Sequence, residues 1–182
     1  MDLTVTDLEK LQAEHPDWQM ELVGGKIIVM SPSGYESEEI AFEFGAQLRD
    51  WVKPRKLGRV TGSSAGYILP NSDVRAPDVS FVKAERLRRS PASYAQIVPD
   101  FMVEVKSPND TLRELREKIN DFLSMGTIVG ILIHPKKRFV EIHRLGQEPI
   151  VLQDGDIITI PDLLPGWEVA VSELWSPVFE EE

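Results

Sequence analysis

The chain has 182 residues, of which 42% are hydrophobic and 27% charged, a composition typical of one soluble globular domain. It contains no cysteine, which excludes disulfide bonds, thiolate zinc sites and a cysteine nucleophile. The N-terminal residues show no signal-peptide pattern, and no apolar run approaches the roughly 20 residues that span a bilayer. We therefore expect a cytoplasmic protein that does not enter a membrane.

The positive charge is concentrated in the middle of the chain. Residues 49–144 hold 18 of the 20 Lys and Arg but 11 of the 30 Asp and Glu, a net charge of +7, while the two flanking segments together carry −17. The overall charge of −10 argues against a nucleic-acid partner, but a phosphate backbone responds to the local potential. The middle segment is therefore either a nucleic-acid-binding patch or a solvated surface between acidic ends.

The first part of the chain predicts two helices, a hairpin and two further strands. Thr4 or Thr6 is a suitable N-cap for a short helix that ends before Pro16. Two apolar runs joined by Gly24 and Gly25 are typical of a hairpin. The expected elements are this first helix, strands over 20–23 and 26–30, a helix over 37–52, and strands near 66–69 and 79–82.

The second part predicts strands around one amphipathic helix. Thr111 and Glu114 fit a capping box, and Gly126 is a natural C-terminal stop. The expected elements are a strand over 101–106, a helix over 111–125, strands over 129–134, 138–143, 150–153 and 157–160, a strand and short helix within 163–175, and an acidic tail at 180–182.

Charged residues interrupt the apolar strand predicted at 101–106. Glu104 and Lys106 are two residues apart, so they share one face of a strand, and burying them is costly unless they are paired or bind a metal. Asp78, which follows Pro77, could join Glu104 as an oxygen ligand of Mg²⁺, with Lys106 orienting a water. The alternative is an ordinary surface Glu-Lys pair, since this spacing is common.

Four segments of the chain resemble the Uma2 family, a bacterial group placed in the PD-(D/E)xK nuclease superfamily. They are residues 21–32, 74–82, 103–110 and 163–167. The resemblance implies a restriction-endonuclease-like α/β core, in which a central mixed β-sheet is flanked by α-helices with additional β-strands. It also implies a single domain over 1–182, with Asp78 and Glu104 binding metal and Lys106 in a catalytic position.

The resemblance bears on three further positions, at one of which this chain departs from the family. Lys118 lies at the rim of the apolar stripe of its helix, so it either reaches solvent or points to the metal site, and the resemblance favours the second placement. Glu36 stands where relatives carry an acid that serves as a further metal or water ligand. Many relatives have a histidine where this chain has Ser37.

Taken with the resemblance, the sequence predicts a Mg²⁺- or Mn²⁺-dependent endonuclease that hydrolyses DNA phosphodiesters by water attack, with Asp78, Glu104, Lys106 and Lys118 as catalytic residues. Cleavage of both strands requires two sites and is compatible with a homodimer, although no segment identifies an interface. Two alternatives stay open. One is an inactive nuclease fold that binds nucleic acid or protein, and the other is a hydrolase of small phosphodiesters.

Overall fold

The computed structural model describes residues 2–180, so Glu181 and Glu182 of the predicted acidic tail lie outside the described residues. The elements follow in chain order: α1 (Val5–Glu14), β1 (Gln19–Val23), β2 (Lys26–Met30), α2 (Tyr35–Val52), β3 (Gly58–Thr61), β4 (Tyr67–Ile68), β5 (Val74–Arg75), β6 (Val79–Lys83), β7 (Phe101–Val105), α3 (Leu112–Ser124), β8 (Val129–His134), β9 (Phe139–His143), β10 (Ile150–Gln153), β11 (Ile157–Thr159), β12 (Glu168–Ala170) and a 3₁₀ helix (Val171–Leu174).

α1 and α3 begin where the sequence predicts, whereas α2 begins at Tyr35, two residues before its predicted start. Thr4 and Thr111 form capping boxes with the acids three residues later, which satisfies backbone N–H groups that an isolated helix start leaves free. The start of α2 is different, because Gly34 is its N-cap and has no side chain to accept a hydrogen bond. Ser37 instead donates its hydroxyl to the Gly34 carbonyl oxygen at 2.8 Å.

The central sheet has six strands in the order β10-β9-β8-β7-β6-β3. Only β7 and β8 run parallel, and the other neighbours in this sheet are antiparallel. The parallel pair is joined through α3, as a crossover between parallel strands requires. The predicted mixed sheet flanked by helices is confirmed.

The two faces of this sheet bury different apolar sets. Phe101, Val103 and Val105 of β7 pack in the same cluster as Phe44 and Leu48 of α2. Met102 packs on the opposite face, in the cluster that contains the apolar stripe of α3. This alternation follows from the two-residue period of a strand, and it places Glu104 on the α3 face.

A second sheet, in the order β2-β1-β5-β4, brings the N-terminal hairpin beside the central sheet. Leu8 of α1 packs against Leu22 and Val74 of this sheet. The sequence did not predict β3 or β5. The two-residue β5 is too short to show a period, and the edge strand β3 is only half buried along its whole length.

Within residues 2–180, no helix is both long and apolar enough to cross a membrane. The apolar clusters on the two faces of the central sheet and the smaller cluster under α1 are built from segments throughout the chain. A single domain over 1–182 stays a prediction.

Close packing of α3 on β8 can be tested at Gly130. A Cβ atom there would lie 2.5 Å from Cγ2 of Ile119, which is fully buried. We expect Gly130→Ala to lower the free energy of unfolding by about 1–3 kcal/mol in urea denaturation, because the helix must move off the strand. Gly62→Ala is the matched control, since its Cβ would meet no atom within 4 Å. Equal stability of the two variants would contradict this packing.

Candidate active site

A cleft of about 720 Å³ opens where β6 begins and β7 ends. Its walls come from β1, β2, the start of α2, β5 and α3, so it lies between the two larger sheets and the N-terminal part of α3. Asp78, Glu104 and Lys118 all line it. The fold therefore brings together three of the residues that the sequence analysis selected.

Asp78 lies immediately before β6 and is held against the end of β7. Its Oδ2 accepts a hydrogen bond of 2.7 Å from the backbone N–H of Val105. Burial raises the pKa of the Asp78 carboxyl, and the charge of Lys118 and the Val105 N–H oppose that rise. The carboxylate is thus fixed in position at the strand end but is costly to ionise.

Glu104 is almost fully buried on the α3 face of β7, beside Lys118. Its Oε1 lies 3.0 Å from Lys118 Nζ, yet this atom has no well-aligned hydrogen bond to any residue of 2–180. Burial raises the pKa of Glu104 to about 8, Lys118 opposes this, and the charge of Asp78 adds to it. The repulsion between the two acids indicates that they share one electrostatic environment.

Lys118 is the centre of an ion-pair network that links three elements. Its Nζ donates to the carbonyl oxygen of Ala76 at 2.9 Å and lies 3.4 Å from Oε1 of Glu21 on β1. Burial would lower the pKa of Lys118, but the charges of Glu104, Glu21 and Asp78 outweigh burial and raise it. Lys118 is therefore protonated at all ordinary pH values, and it points into the site as the family resemblance implied.

Arg75 extends this network to the surface. Its Nε lies 3.6 Å from Oε2 of Glu21, and its Nη1 donates to Oδ2 of Asp121 at 3.0 Å. Glu21 also accepts a 2.9 Å hydrogen bond from the backbone N–H of Ala76. Glu21 and Arg75 thus hold Lys118 in position from the second sheet.

Lys106 occupies a different position from Lys118. Its backbone N–H continues the ladder to the Ile133 carbonyl oxygen, but its Nζ donates to the carbonyl oxygen of Ser107 and does not line the cleft. Burial is the largest cause that lowers the pKa of His134, and the positive charge of Lys106 is the second. The parallel register of β7 and β8 places His134 beside Lys106. A catalytic role for Lys106 stays a prediction.

The start of α2 contributes an acid to the cleft, but it is Glu38 and not Glu36. Glu36 is exposed and does not line the cleft, whereas Glu38 lines it and its charge helps to raise the pKa of Asp78. The proposed metal role of Glu36 stays a prediction. Ser37 is buried, and its hydroxyl lies 2.7 Å from that of Ser107, so it ties α2 to the end of β7.

The carboxylates of the cleft suit a hard divalent cation that the substrate also helps to bind. No group of three or more His, Cys, Asp or Glu side chains within 2–180 forms a metal cluster. Mg²⁺ in phosphoryl-transfer sites takes only one or two carboxylates, with waters and substrate phosphate as the other ligands. Oε1 of Glu104 is a buried oxygen with an unused acceptor site beside Asp78. The residues present therefore fit such an ion.

The cleft is strongly acidic as a whole. Eight carboxylates and two cationic side chains line it. Besides the residues already described, the acids are Asp110, Glu114 and Glu117. The field in the cleft therefore favours cations and repels anions unless a cation is bound.

The sequence analysis missed Glu21 and Arg75 as site residues. Glu21 lies in the apolar run Met20–Val23 and is buried, as Glu104 is in β7, so an acid inside an apolar strand was the available signal. Arg75 gave no signal of this kind, because its two-residue strand was not predicted, and its place in the family-matching segment 74–82 was the available signal.

The mixed sheet with α2 and α3 on its two faces and an acidic, lysine-containing cleft at the ends of β6 and β7 define a restriction-endonuclease-like α/β protein. The model of the Uma2 family, described as "Putative restriction endonuclease", matches residues 5–172. The chain belongs to the Uma2 family.

A solved structure with a high TM-score agrees with this fold. The crystal structure of a "putative nuclease belonging to DUF820" from Anabaena variabilis has a TM-score of 0.82 and 23% identity, with 94% of this chain and 97% of that chain covered. A cryo-EM structure of a DrdV–DNA complex reaches a TM-score of only 0.34 at 15% identity, over 66% of this chain and 89% of that one. No curated protein matches the sequence.

The burial of Glu104 predicts a pH-dependent stability difference. Its pKa is about 8 in the folded state and near 4.5 otherwise, so ionisation destabilises the fold increasingly as pH rises from about 4.5 to 8. We expect Glu104→Gln to melt several degrees above the wild type at pH about 8.5, with the difference disappearing near pH 4. Thermal melts across this pH range measure the difference in melting temperature. Glu39→Gln, a change of an exposed glutamate on α2, is the control. A difference that does not change with pH would contradict the burial of an ionisable Glu104.

Proposed function

We propose that this protein is a Mg²⁺- or Mn²⁺-dependent endonuclease that hydrolyses phosphodiester bonds in DNA. The observation that carries the proposal is the convergence of Asp78 and Glu104, from two strands, in one cleft against the ammonium of Lys118. Carboxylates are otherwise rarely buried, and buried acids with raised pKa values in a cleft are typical of functional sites. The description of the Uma2 family supports nuclease activity and DNA as the substrate.

Asp78 and Glu104 would hold the cation, and each is prepared for this by its surroundings. The Val105 N–H fixes Asp78, and the unused acceptor site on Glu104 Oε1 remains available. The bound ion would supply charge neutralisation at the phosphate and an acidified water. The positive charge of the bound cation would also offset the cost of ionising Glu104.

Lys118 would favour the ionised form of both carboxylates and stabilise negative charge that develops at the phosphate. Its Nζ already lies between Glu104 and Glu21, so its position does not depend on the substrate. An ammonium fixed before the reaction begins needs no reorganisation in the transition state. Glu21 and Arg75 are positioning residues in this proposal, because they hold the lysine and not the reacting atoms.

Three further features belong to the proposal. Lys106 would orient water or phosphate after its Nζ leaves the Ser107 carbonyl oxygen, to which it donates in this structure. A homodimer would supply one site for each strand of a duplex. The cytoplasm would be the location in which this enzyme meets DNA.

The first prediction for this activity concerns Asp78. We expect purified protein with about 5 mM Mg²⁺ or Mn²⁺ to nick or cleave plasmid DNA. We expect Asp78→Asn to lower the cleavage rate by at least about 100-fold, because it removes a carboxylate that would hold the cation. Gel assays of plasmid and oligonucleotide substrates measure this. Asp110→Asn, a change of another cleft acid of the same type, is the matched control and should retain most of the activity.

Other outcomes of this assay identify the alternatives. Turnover of a chromogenic diester without any DNA cleavage would indicate a hydrolase of small phosphodiesters. Absence of turnover together with absence of Mn²⁺ binding in calorimetry would contradict the proposal and favour a binding module.

The second prediction separates the two lysines. Because Lys118 contacts Glu104 and Lys106 does not line the cleft, we expect Lys118→Met to lower the cleavage rate by about 100-fold or more and Lys106→Met by clearly less. Removing one partner of a buried pair costs about 3–5 kcal/mol, so folding of each variant must be verified by thermal melts. Lys118→Arg keeps the charge and should recover more stability than activity. A larger loss from Lys106→Met would reverse these roles.

A further inference from the structure

The excess positive charge of the middle segment occupies two short stretches. Residues 53–59 and 83–89 together hold eight Lys and Arg and a single acid, Glu85, for a net charge of +7. The rest of 49–144 is neutral overall. The basic character expected near the site in fact belongs to these two stretches.

The strand register places both stretches at the end of the central sheet away from the cleft. Gly58 at the start of β3 pairs with Lys83 at the end of β6, whereas Asp78 precedes the start of β6. The five residues of β6 separate the two ends by about 17 Å at ~3.3 Å per residue. We call the surface formed by residues 53–59 and 83–89 the distal basic surface.

Backbone and side-chain bonds hold the two stretches together. Ala84 N–H donates to the Leu57 carbonyl oxygen at 2.9 Å. Arg59 on β3 donates to the carbonyl oxygens of Leu87 and Arg88 at 2.9 and 2.7 Å. The distal basic surface is therefore one preformed unit.

Half of its basic side chains are free to meet a ligand. Arg86 pairs with Asp100 at 2.8 Å, but Arg88 and Arg89 are exposed and form no ion pair with any residue of 2–180. The same holds for Lys53 and Lys56 beyond the end of α2. These positive side chains repel one another, and no ion pair with an acid compensates for it. Binding of an anionic ligand would relieve this repulsion.

The cleft itself cannot retain a long polyanion. Its eight carboxylates outnumber its two cations, and a bound divalent ion would offset only part of this difference. Affinity for nucleic acid comes mainly from phosphate contacts with Lys and Arg and the counterions they release. The charge distribution therefore separates the proposed chemistry from the source of affinity.

We propose that the distal basic surface binds the phosphate backbone of DNA and retains long substrates while a distant segment of the same molecule enters the cleft. This inference rests on the proposed nuclease function only for the cleft; binding at the distal surface stands without it. Arginines match phosphate oxygens with a fork of donors. Five of the eight basic residues of 53–59 and 83–89 are arginines, among them Arg88 and Arg89.

A membrane is a less suitable partner for this surface. Peripheral membrane binding needs apolar side chains that enter the interface in addition to basic ones. Within 53–59 and 83–89, Leu57 is the single exposed large apolar side chain, at 36% exposure. The distal basic surface therefore has the charge but not the apolar contacts for a bilayer.

The test compares two charge-matched pairs in a background that cannot cleave. Asp78→Asn protein is combined with Arg88→Gln and Arg89→Gln, or with Lys136→Gln and Lys137→Gln. The second pair removes two exposed, unpaired charges near the cleft end, in the turn between β8 and β9. Binding of a duplex of about 60 bp is measured by fluorescence anisotropy at several salt concentrations.

We expect the arginine pair to weaken binding by roughly tenfold and to lower the salt dependence by about two released ions, while the lysine pair changes both much less. Equal losses from the two pairs would overturn the proposal, because affinity would then follow net charge and not location. Equal binding of polyglutamate or of anionic lipid vesicles would also overturn the assignment to nucleic acid.

A cleavage measurement separates this inference from the proposed function. In protein that keeps Asp78, the arginine pair should slow cleavage of the long duplex but leave cleavage of a dinucleotide unaffected. A dinucleotide is too short to reach both ends of the sheet, which lie about 17 Å apart. If no protein cleaves DNA but the distal basic surface still binds it, the proposed nuclease function is refuted and the distal binding is not. Intact cleavage of both substrates by the arginine pair would refute the distal surface alone.

Discussion

The ion pair between Lys118 and Glu104 is the constraint on which the site depends. Two charged side chains lie buried between β7 and α3, where an unpaired charge costs about 3–5 kcal/mol out of a typical total stability of about 5–15 kcal/mol. Lys118 stays charged there, so it needs the oxygen atoms that Glu104, Glu21 and the Ala76 carbonyl group place around it. Glu21 adds a second carboxylate to the same ammonium and thereby connects the N-terminal hairpin to the central sheet.

The molecule separates charge along the strands of its central sheet. Acids gather where β6 begins and β7 ends, and the distal basic surface lies at the other end of β6. A cleft that must bind a cation and a phosphodiester has opposing electrostatic requirements, because carboxylates that hold the cation repel the polyanion. Placing the attraction for DNA at a distance would resolve this conflict without changing the carboxylates.

Much of the architecture was predictable because it depends on local patterns. The capping boxes at Thr4 and Thr111, the Gly24-Gly25 hairpin and the period of β7 each involve residues near in sequence. The two-residue strand β5 and the edge strand β3 carry no such period, and their pairing partners alone define them. The contact of Arg75 with Glu21 could therefore not be predicted from a local pattern, because it depends on the pairing of β5 with β1.

The sequence by itself determined that Glu104 lies on the strand face opposite Phe101, Val103 and Val105, since strand alternation fixes faces without knowledge of neighbours. It also determined that Asp78 precedes a strand. Only the tertiary structure decided which lysine meets these acids. Lys106, two residues from Glu104, turns to the Ser107 carbonyl oxygen, while Lys118 reaches Glu104 from the helix. The tertiary structure also decided where the basic residues gather, because a count of charges along the chain does not show which end of the sheet they occupy. The pairing of β3 with β6 shows this.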